Sequence, residues 1–307
     1  MPESTAEWTQ APERGANWAM RILLFALKIL GYTVARIFLI PIAAYFVITG
    51  RRSRRASRGY LARLHAMDRS APKPTFFQVY LHHLEFAHVL MERALLWQGK
   101  TTKFQFSGHG KELLEGSGKM GSVLLGAHFG SFDALRILAK EMNCRVNVVM
   151  YRAHAQKINK LLQDLNPDTN VQVIEMTPGD TEGVLKLKQC IERGEHVAML
   201  ADRIAPGSRQ RAVDVDFLGA KASFPEGPWL LASVFGCPVT FVSAARTGPR
   251  SYYVSVDQLA DVIVRQPQIL QGHIQKYARR LETHCRRYPR QWFNFYDFWN
   301  LPPANKK

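Results

Sequence analysis

The chain has 307 residues, of which 47% are hydrophobic. That length allows one large domain or two small ones with a substantial core, and it excludes the disordered, collagen-like and mini-protein classes. Lysine and arginine number 41 against 25 aspartates and glutamates, which gives a formal net charge of +16. Such a surface attracts nucleic acid, an anionic membrane or an acidic protein partner, and composition alone does not choose among these.

The four cysteines stand far apart in the sequence, at Cys144, Cys190, Cys237 and Cys285. This spacing contains no CxxC pair, no zinc-ligand cluster and no disulfide framework. We therefore predict that the cysteines are small core residues in a reducing compartment, and that the chain holds no metal site.

The N-terminal region predicts contact with a membrane. Residues 19–49 are mostly apolar, and Arg21, Lys28 and Arg36 fall with Arg14 within an arc of about 80° on a helix. That pattern predicts a helix lying in the membrane interface, and the five arginines of residues 51–58 would attract anionic headgroups. A single span is the alternative, and it would leave the arginines and the main domain on the cytoplasmic side.

Strand and helix patterns alternate along the rest of the chain. Apolar spacing predicts a helix over 75–97, a short strand near 104–106 and a long basic helix from about 268 to 288. Further predicted strands cover 121–127, 145–151, 171–176, 196–203, 238–247 and 251–259, and further predicted helices cover 131–142, 154–166, 180–194 and 228–236. This alternation indicates βαβ units. The predicted fold class is therefore α/β, with a mainly parallel central sheet flanked by helices and an N-terminal hydrophobic or amphipathic membrane helix.

We divide the chain into a membrane-associating segment with its basic cluster, residues 1–60, and a main domain, residues 61–307. His82, His83 and His88 lie on the helix predicted over 75–97, but no HExxH motif is present, so we predict polar residues on a helix face rather than ligands.

The C-terminal segment, residues 289–299, carries six aromatic side chains. Exposure of such a tail would be costly, so we predict that it folds back onto the domain or the membrane. Aromatic and basic residues together can also stack on single-stranded nucleic acid, but no nucleic-acid-binding motif accompanies them. Nucleic acid is therefore not an expected partner.

The sequence HFGSFD, residues 128–133, places a histidine and an aspartate at a predicted strand–helix junction. On spacing alone the two residues form either a structural pair or part of a catalytic site. His128 follows a predicted strand and Asp133 enters the next helix, so a tight turn at Gly130 can bring the carboxylate to one imidazole nitrogen. The other nitrogen would then be free to act as a base near neutral pH. Ser131 is predicted to cap the helix because no GxSxG elbow exists, so the substrate would supply the nucleophile. Backbone N–H groups around Gly130 and at the start of the helix are candidate oxyanion donors.

HFGSFD resembles the H-x4-D/E motif of the lysophospholipid acyltransferase superfamily. The wider pattern is similar to its lipid A lauroyl/myristoyl acyltransferase branch, because a hydrophobic helix and basic segment precede the motif and an aromatic-rich C-terminus closes the chain. The sequence ADR at 201–203 and the segment 215–233 match the later elements of that pattern. Acyltransferases of pigment-lipid and amino-lipid pathways look at least as similar, which leaves the acceptor open.

The resemblance implies an enzyme that moves a fatty acyl group from an acyl carrier protein or coenzyme A thioester to a hydroxyl or amine of a lipid or glycolipid. It implies His128 as general base and Asp133 as its partner. It further implies that Arg152, Asp202 and Arg203 bind substrate. No cofactor is implied.

The same resemblance implies the cytoplasmic face of the cell inner membrane, with anionic lipids, the acyl donor and the lipid acceptor as partners. Two alternatives remain. A hydrolase on the same scaffold would use water as acceptor, and a relative without activity would only bind membrane or carrier protein.

Overall fold

The computed structural model describes residues 27, 29, 31–97, 100–114, 120–151, 171–176, 179–204 and 211–299. The helices in that part of the chain are α1 (Gly31–Thr49), α2 (Arg51–Met67), α3 (Phe76–Trp97), α4 (Phe132–Glu141), α5 (Thr181–Glu192), α6 (Gly227–Phe235) and α7 (Pro267–Arg287). The strands are β1 (Gln105–His109), β2 (Val123–Gly126), β3 (Val146–Tyr151), β4 (Val171–Met176), β5 (His196–Leu200), β6 (Ala212–Phe217), β7 (Ala220–Pro225), β8 (Val239–Gly248) and β9 (Ser251–Ala260). A short 3₁₀ turn covers Lys111–Leu114.

The main sheet has the order β1-β9-β8-β2-β5-β3-β4. All of its neighbouring pairs are parallel except β8 and β9, which pair antiparallel, while β6 and β7 form a separate antiparallel hairpin. The predicted α/β class with a mainly parallel sheet is confirmed. Strand β2 lies at the centre of this order, and its four residues are all buried, as expected for a strand covered on both faces.

Alternate residues of β2 point into two separate apolar cores. Val123 and Leu125 belong to the core that contains α5, α6 and α7, whereas Leu124 belongs to the core beneath α1 and α4. This period of two is the geometry of a strand, and it places helices on both faces of the sheet.

Helix α1 buries one stripe and exposes the other. Ala35, Leu39, Ala43 and Val47 recur every fourth residue and are buried, and the helix packs along α3. In the described part of the chain, α1 alone is long and apolar enough to cross a bilayer, with a mean hydropathy of 1.7.

The arginine cluster forms the first part of α2, and the division at residue 60 falls inside that helix, whose Tyr60, Leu61 and Leu64 enter the core. The division into two parts remains a prediction. Arg14 and Arg21 lie outside the described residues.

The structure of the main domain adds one element to those that the sequence predicts. The helix predicted over 154–166 lies outside the described residues. The β6–β7 hairpin is absent from the prediction, because its residues are partly exposed and lack a continuous apolar run.

Candidate active site

Two neighbouring strands bring the candidate residues together. His128 follows β2 and Asp202 follows β5, and these strands pair in parallel with Gly126 opposite Leu200. The Ala201 N–H donates to the Gly126 carbonyl at 3.0 Å, which extends the pairing just past both strand ends. Carboxyl ends of adjacent parallel strands share one edge, so both side chains reach the crevice where open α/β sheets bind ligands.

Asp202 holds the imidazole of His128 through two contacts. His128 Nδ1 lies 2.8 Å from Asp202 Oδ1, and the His128 backbone N–H donates to Oδ2 at 3.0 Å. The pKa of Asp202 is lowered to about 2: burial alone would raise it, but the charges of His128 and Arg203 and the hydrogen bonds from His128 outweigh burial. An ionised carboxylate only accepts, so Nδ1 carries the proton and Nε2 keeps its lone pair.

His128 is 28% exposed, whereas the Asp202 side chain is fully buried. Burial lowers the pKa of His128 below its ordinary value of 6.5, Arg203 lowers it further, and Asp202 opposes both. The imidazole is therefore neutral at neutral pH and can accept a proton at Nε2.

Asp133 does not take the position that the sequence predicts for it. The carboxylate at His128 Nδ1 is that of Asp202, and Asp133 forms an ion pair with Arg93 of α3 at 2.9 Å between Oδ2 and Nε. The reason is geometric: Asp133 is in the first turn of α4, and that turn faces α3. The carboxylate that contacts His128 therefore comes from the residue after β5 and not from the helix that follows His128.

The loop between β2 and α4 has two backbone N–H groups that donate hydrogen bonds within the protein. Gly130 N–H donates to the Gln291 carbonyl at 2.9 Å and Ser131 N–H donates to the Ala244 carbonyl at 2.9 Å. These two N–H groups are therefore already paired in this structure, and oxyanion binding by backbone N–H groups around Gly130 and the helix start remains a prediction. Gly130 has a φ of +58°, which makes it a turn glycine. The predicted cap is confirmed, since Ser131 Oγ accepts from the Ala134 N–H at 3.2 Å.

Arg203 faces the C-terminal segment. Its Nε donates to Asn294 Oδ1 at 2.6 Å, a terminal nitrogen donates to the Phe293 carbonyl at 3.0 Å, and the guanidinium lies 5.6 Å from the Tyr296 ring centre. These contacts anchor the tail beside Asp202, and no substrate contact is needed to explain them. The role of Arg203 in binding substrate remains a prediction. Arg152 lies outside the described residues.

The aromatic tail folds onto the domain. Trp292 is fully buried and packs against Tyr60, Phe217 and Phe298. His82 and His83 lie on a face of α3 that is buried, and both rings contact Phe295 of the tail. Helical spacing alone could not show this burial, since the residues that cover the two histidines come from the C-terminal segment.

Arg246 of β8 forms a buried ionic cluster with two glutamates of α3, and its backbone is bonded to Gln291 of the C-terminal segment. Arg246 Nε donates to Glu92 at 3.1 Å and its terminal nitrogen donates to both oxygens of Glu85 at 3.1 and 3.2 Å. The Arg246 backbone is paired in both directions with the Gln291 side-chain amide. Sequence reasoning missed this group, because its members are separated by more than half of the chain.

A small apolar cavity lies between the sheet and α4, close to the start of that helix. Its lining includes Leu124, Phe132, Leu135, Ala198 and Val242. Groups of at least three histidine, cysteine or carboxylate side chains placed to hold a metal are not found among the described residues.

The fold and this site together define an α/β protein with a histidine–aspartate pair at the carboxyl edge of its central strands. A family model for bacterial lipid A biosynthesis acyltransferases matches residues 4–300. The chain belongs to this family and is an acyltransferase.

Among solved structures, the crystal structure of the 1-acyl-sn-glycerophosphate (LPA) acyltransferase PlsC from Thermotoga maritima is similar to this chain. The two sequences are 13% identical, the match covers 81% of this chain and 96% of that one, and the TM-score is 0.38. No curated protein sequence matches the chain.

Proposed function

We propose that this acyltransferase moves a fatty acyl group from an acyl carrier protein or coenzyme A thioester to a hydroxyl or amine of a lipid acceptor. The observation that carries the proposal is the buried Asp202 carboxylate at His128 Nδ1, because it leaves Nε2 as a base at the sheet edge. The family match supports the reaction type.

The reaction balances with one histidine. His128 Nε2 takes the proton from the acceptor O–H or N–H while that atom attacks the thioester carbonyl. The carbon–sulfur bond breaks when the tetrahedral intermediate collapses, and the leaving thiolate takes the proton back from the imidazolium. Asp202 stabilises that imidazolium without accepting its proton, as the carboxylate of a catalytic triad does.

The net charge suits both substrates, because a chain with a net charge of +16 attracts an acidic carrier protein and anionic lipid. The catalytic role of Asp133 and the substrate roles of Arg152 and Arg203 remain predictions within this proposal.

We further propose that α1 lies in the cytoplasmic leaflet of the inner membrane and does not span it. One face of α1 is packed on α3, and Tyr32 and Ile40 are hydrogen-bonded to Glu92 and Tyr80 of that helix. A helix held along the domain in this way has only its other face available to lipid. Helix α2 follows α1 directly in the chain, and its arginines suit anionic headgroups.

The first test is an acyl-transfer assay with the detergent-solubilised full chain. Radiolabelled acyl carrier protein and acyl-coenzyme A are each incubated with total bacterial lipid, and label is counted in lipid and in free acid. His128→Gln should abolish label in lipid. The matched control is His109→Gln, since the His109 side chain on β1 is 48% exposed.

The outcomes separate the candidate functions. Label in lipid that depends on His128 but not on His109 supports the proposal and yields the acceptor for identification. Label only in free acid indicates a hydrolase. Transfer that is unchanged in a folded His128→Gln protein overturns the assignment of the base.

A further inference from the structure

We propose that the C-terminal segment Gln291–Asn294 positions the catalytic histidine, with Trp292 and Asn294 acting on His128 through Asp202 and His82 holding Trp292 from behind. This inference rests on the proposed role of His128 as base. All of these groups are positioning residues, and none needs to touch substrate.

The segment is joined by backbone contacts to the loop between β2 and α4, which carries His128. Phe129 and Trp292 form an antiparallel bridge, and the Phe293 N–H donates to the His128 carbonyl at 2.7 Å. On the other side, the Gln291 carbonyl accepts from the Gly130 N–H. The loop that carries the base therefore has the C-terminal segment as its neighbouring strand, and its conformation depends on residues near the end of the chain.

The same segment saturates the carboxylate that orients the base. The Trp292 indole N–H donates to Asp202 Oδ2 at 3.0 Å and the Asn294 amide donates to the same oxygen at 3.1 Å. Because Oδ2 is fully occupied, Oδ1 is the oxygen left for His128 Nδ1. Each donor also withdraws negative charge from the carboxylate, which weakens its stabilisation of the imidazolium.

The orientation of the Asn294 amide is determined by its two partners. Arg203 Nε can only donate, so the atom it meets at 2.6 Å must be the amide oxygen. The amide nitrogen then faces Asp202. Arg203 therefore fixes the orientation of the Asn294 amide, so that the amide N–H points at Asp202. Asn294 in this way bridges Asp202 and Arg203.

His82 continues the hydrogen-bond chain away from the site. Its Nε2 meets the Trp292 carbonyl at 3.0 Å and its Nδ1 meets Ser57 Oγ of α2 at 2.8 Å. The carbonyl can only accept, so Nε2 carries the proton and Nδ1 accepts from the serine hydroxyl. Burial lowers the pKa of His82 to about 3, and the ring stays neutral. Two sets of hydrogen bonds, joined through the covalent frame of Trp292, thus connect the arginine-rich helix to His128.

Trp292→Phe removes none of the other charged and titratable groups around these residues. Asp202 faces Arg203, with Tyr277, Cys285 and Tyr296 also in its electrostatic surroundings. His82 faces His83 and Arg290. A change in the titration of His128 on removal of one indole N–H therefore reports the loss of that donor.

The test compares Trp292→Phe with Trp299→Phe in the full chain. Trp299 belongs to the same aromatic cluster, but its indole N–H donates to the Phe217 carbonyl at 3.3 Å and not to Asp202. The titration of His128 is followed by ¹⁵N NMR of histidine-labelled protein in detergent, with the resonance assigned from His128→Gln. This readout needs no substrate. The pH profile of kcat/KM is measured alongside it.

Trp292→Phe should raise the midpoint of the His128 titration, because the carboxylate regains negative charge. It should also lower kcat by roughly tenfold with KM nearly unchanged, because the Asp202 carboxylate loses a hydrogen bond that holds it in place beside the imidazole. Trp299→Phe should change neither. His82→Gln, which keeps a donor toward the Trp292 carbonyl, should retain activity that His82→Phe loses.

Failure of the inference and failure of the proposed function give different results. An unchanged His128 titration in Trp292→Phe overturns the positioning role, whether or not the chain transfers acyl groups. A shifted titration in a protein that never transfers an acyl group supports the positioning role and contradicts the proposed function. If Trp292→Phe does not fold, Asn294→Ser removes the other donor and carries the same test.

Discussion

At the residue scale, the properties of one imidazole follow from a carboxylate distant in sequence. Asp202 is fully buried and ionised, and it contacts both the ring and the backbone N–H of His128. A buried charge is tolerated only when it is fully hydrogen-bonded, and Trp292 and Asn294 complete that requirement. The result is a histidine of defined tautomer whose Nε2 is available at the sheet edge.

The pH dependence of activity tests this electrostatic balance. The pKa of His128 lies below 6.5 because burial and Arg203 disfavour the imidazolium more than Asp202 favours it. A histidine with a lowered pKa stays neutral at a pH where an ordinary one is protonated. We therefore expect kcat/KM to be flat through neutrality and to fall only below pH 6.5. A midpoint above that value, measured where circular dichroism shows intact structure, would contradict the assignment.

The two carboxylates can be separated by matched substitutions. Asp202→Asn should lower kcat by roughly 10³- to 10⁴-fold, because Nδ1–H loses its ionised acceptor and the productive tautomer is no longer fixed. Asp133→Asn should lower kcat by about tenfold, since it weakens one ion pair with Arg93 and leaves the Asp202 contact intact.

Steady-state kinetics on both variants checks this order. If Asp133→Asn is as severe as Asp202→Asn in a folded protein, Asp133 has the catalytic role that the H-x4-D resemblance implies.

At the element scale, the loop between β2 and α4 is fixed from three directions. Strand β8 approaches it at Ala244, the C-terminal segment approaches it at Gln291, and β5 places Asp202 beside it. Gly130 stands where these approaches converge, and a Cβ atom there would lie 2.0 Å from the Ala244 carbonyl oxygen. The close approach of backbone to backbone explains why the loop needs glycine at this position.

Gly130→Ala should therefore destabilise the protein and abolish transfer. The matched control is Gly236→Ala, since Gly236 has a similar φ of +64° but a Cβ added there would meet no heavy atom within 4 Å. The control should lose only about 1 kcal/mol of unfolding free energy from backbone strain. Thermal unfolding in detergent measures both variants. Equal losses at the two positions would show that φ strain, and not the contact with Ala244, explains the glycine.

At the scale of the whole molecule, the apolar and basic surfaces adjoin each other. Ile37 and Ile48 are 60% and 64% exposed on the free face of α1, and α2 follows immediately with its arginines. Exposed apolar side chains next to a basic helix suit an anionic bilayer better than water. In the proposed interfacial arrangement, the packed face of α1 would hold the domain close to that surface.

Replacing both residues, Ile37→Asp and Ile48→Asp, should release the chain from anionic vesicles, because two charges would enter the acyl-chain region. Vesicle co-sedimentation measures binding. The control is Leu185→Asp, since Leu185 is 57% exposed on α5 and should leave binding unchanged. Retention of the double variant on vesicles, with a folded domain, would contradict an interfacial α1.

The sequence by itself determined the features that depend on neighbouring residues. The alternation of strands and helices, the Ser131 cap and the strand-to-helix position of His128 all follow from local periodicity and local hydrogen bonding. The H-x4-D pattern and the flanking hydrophobic and basic segments were sufficient for the resemblance to acyltransferases.

Only the tertiary structure decided which groups surround the base. Strands β2 and β5 are neighbours in the sheet although β3 and β4 lie between them in the chain. That crossover brings Asp202 to a histidine 74 positions away and leaves the nearer Asp133 facing α3. The tail reaches the same carboxylate from 90 positions further on. Contacts of this kind depend on strand order, which no local pattern encodes, because parallel strands are joined through intervening elements.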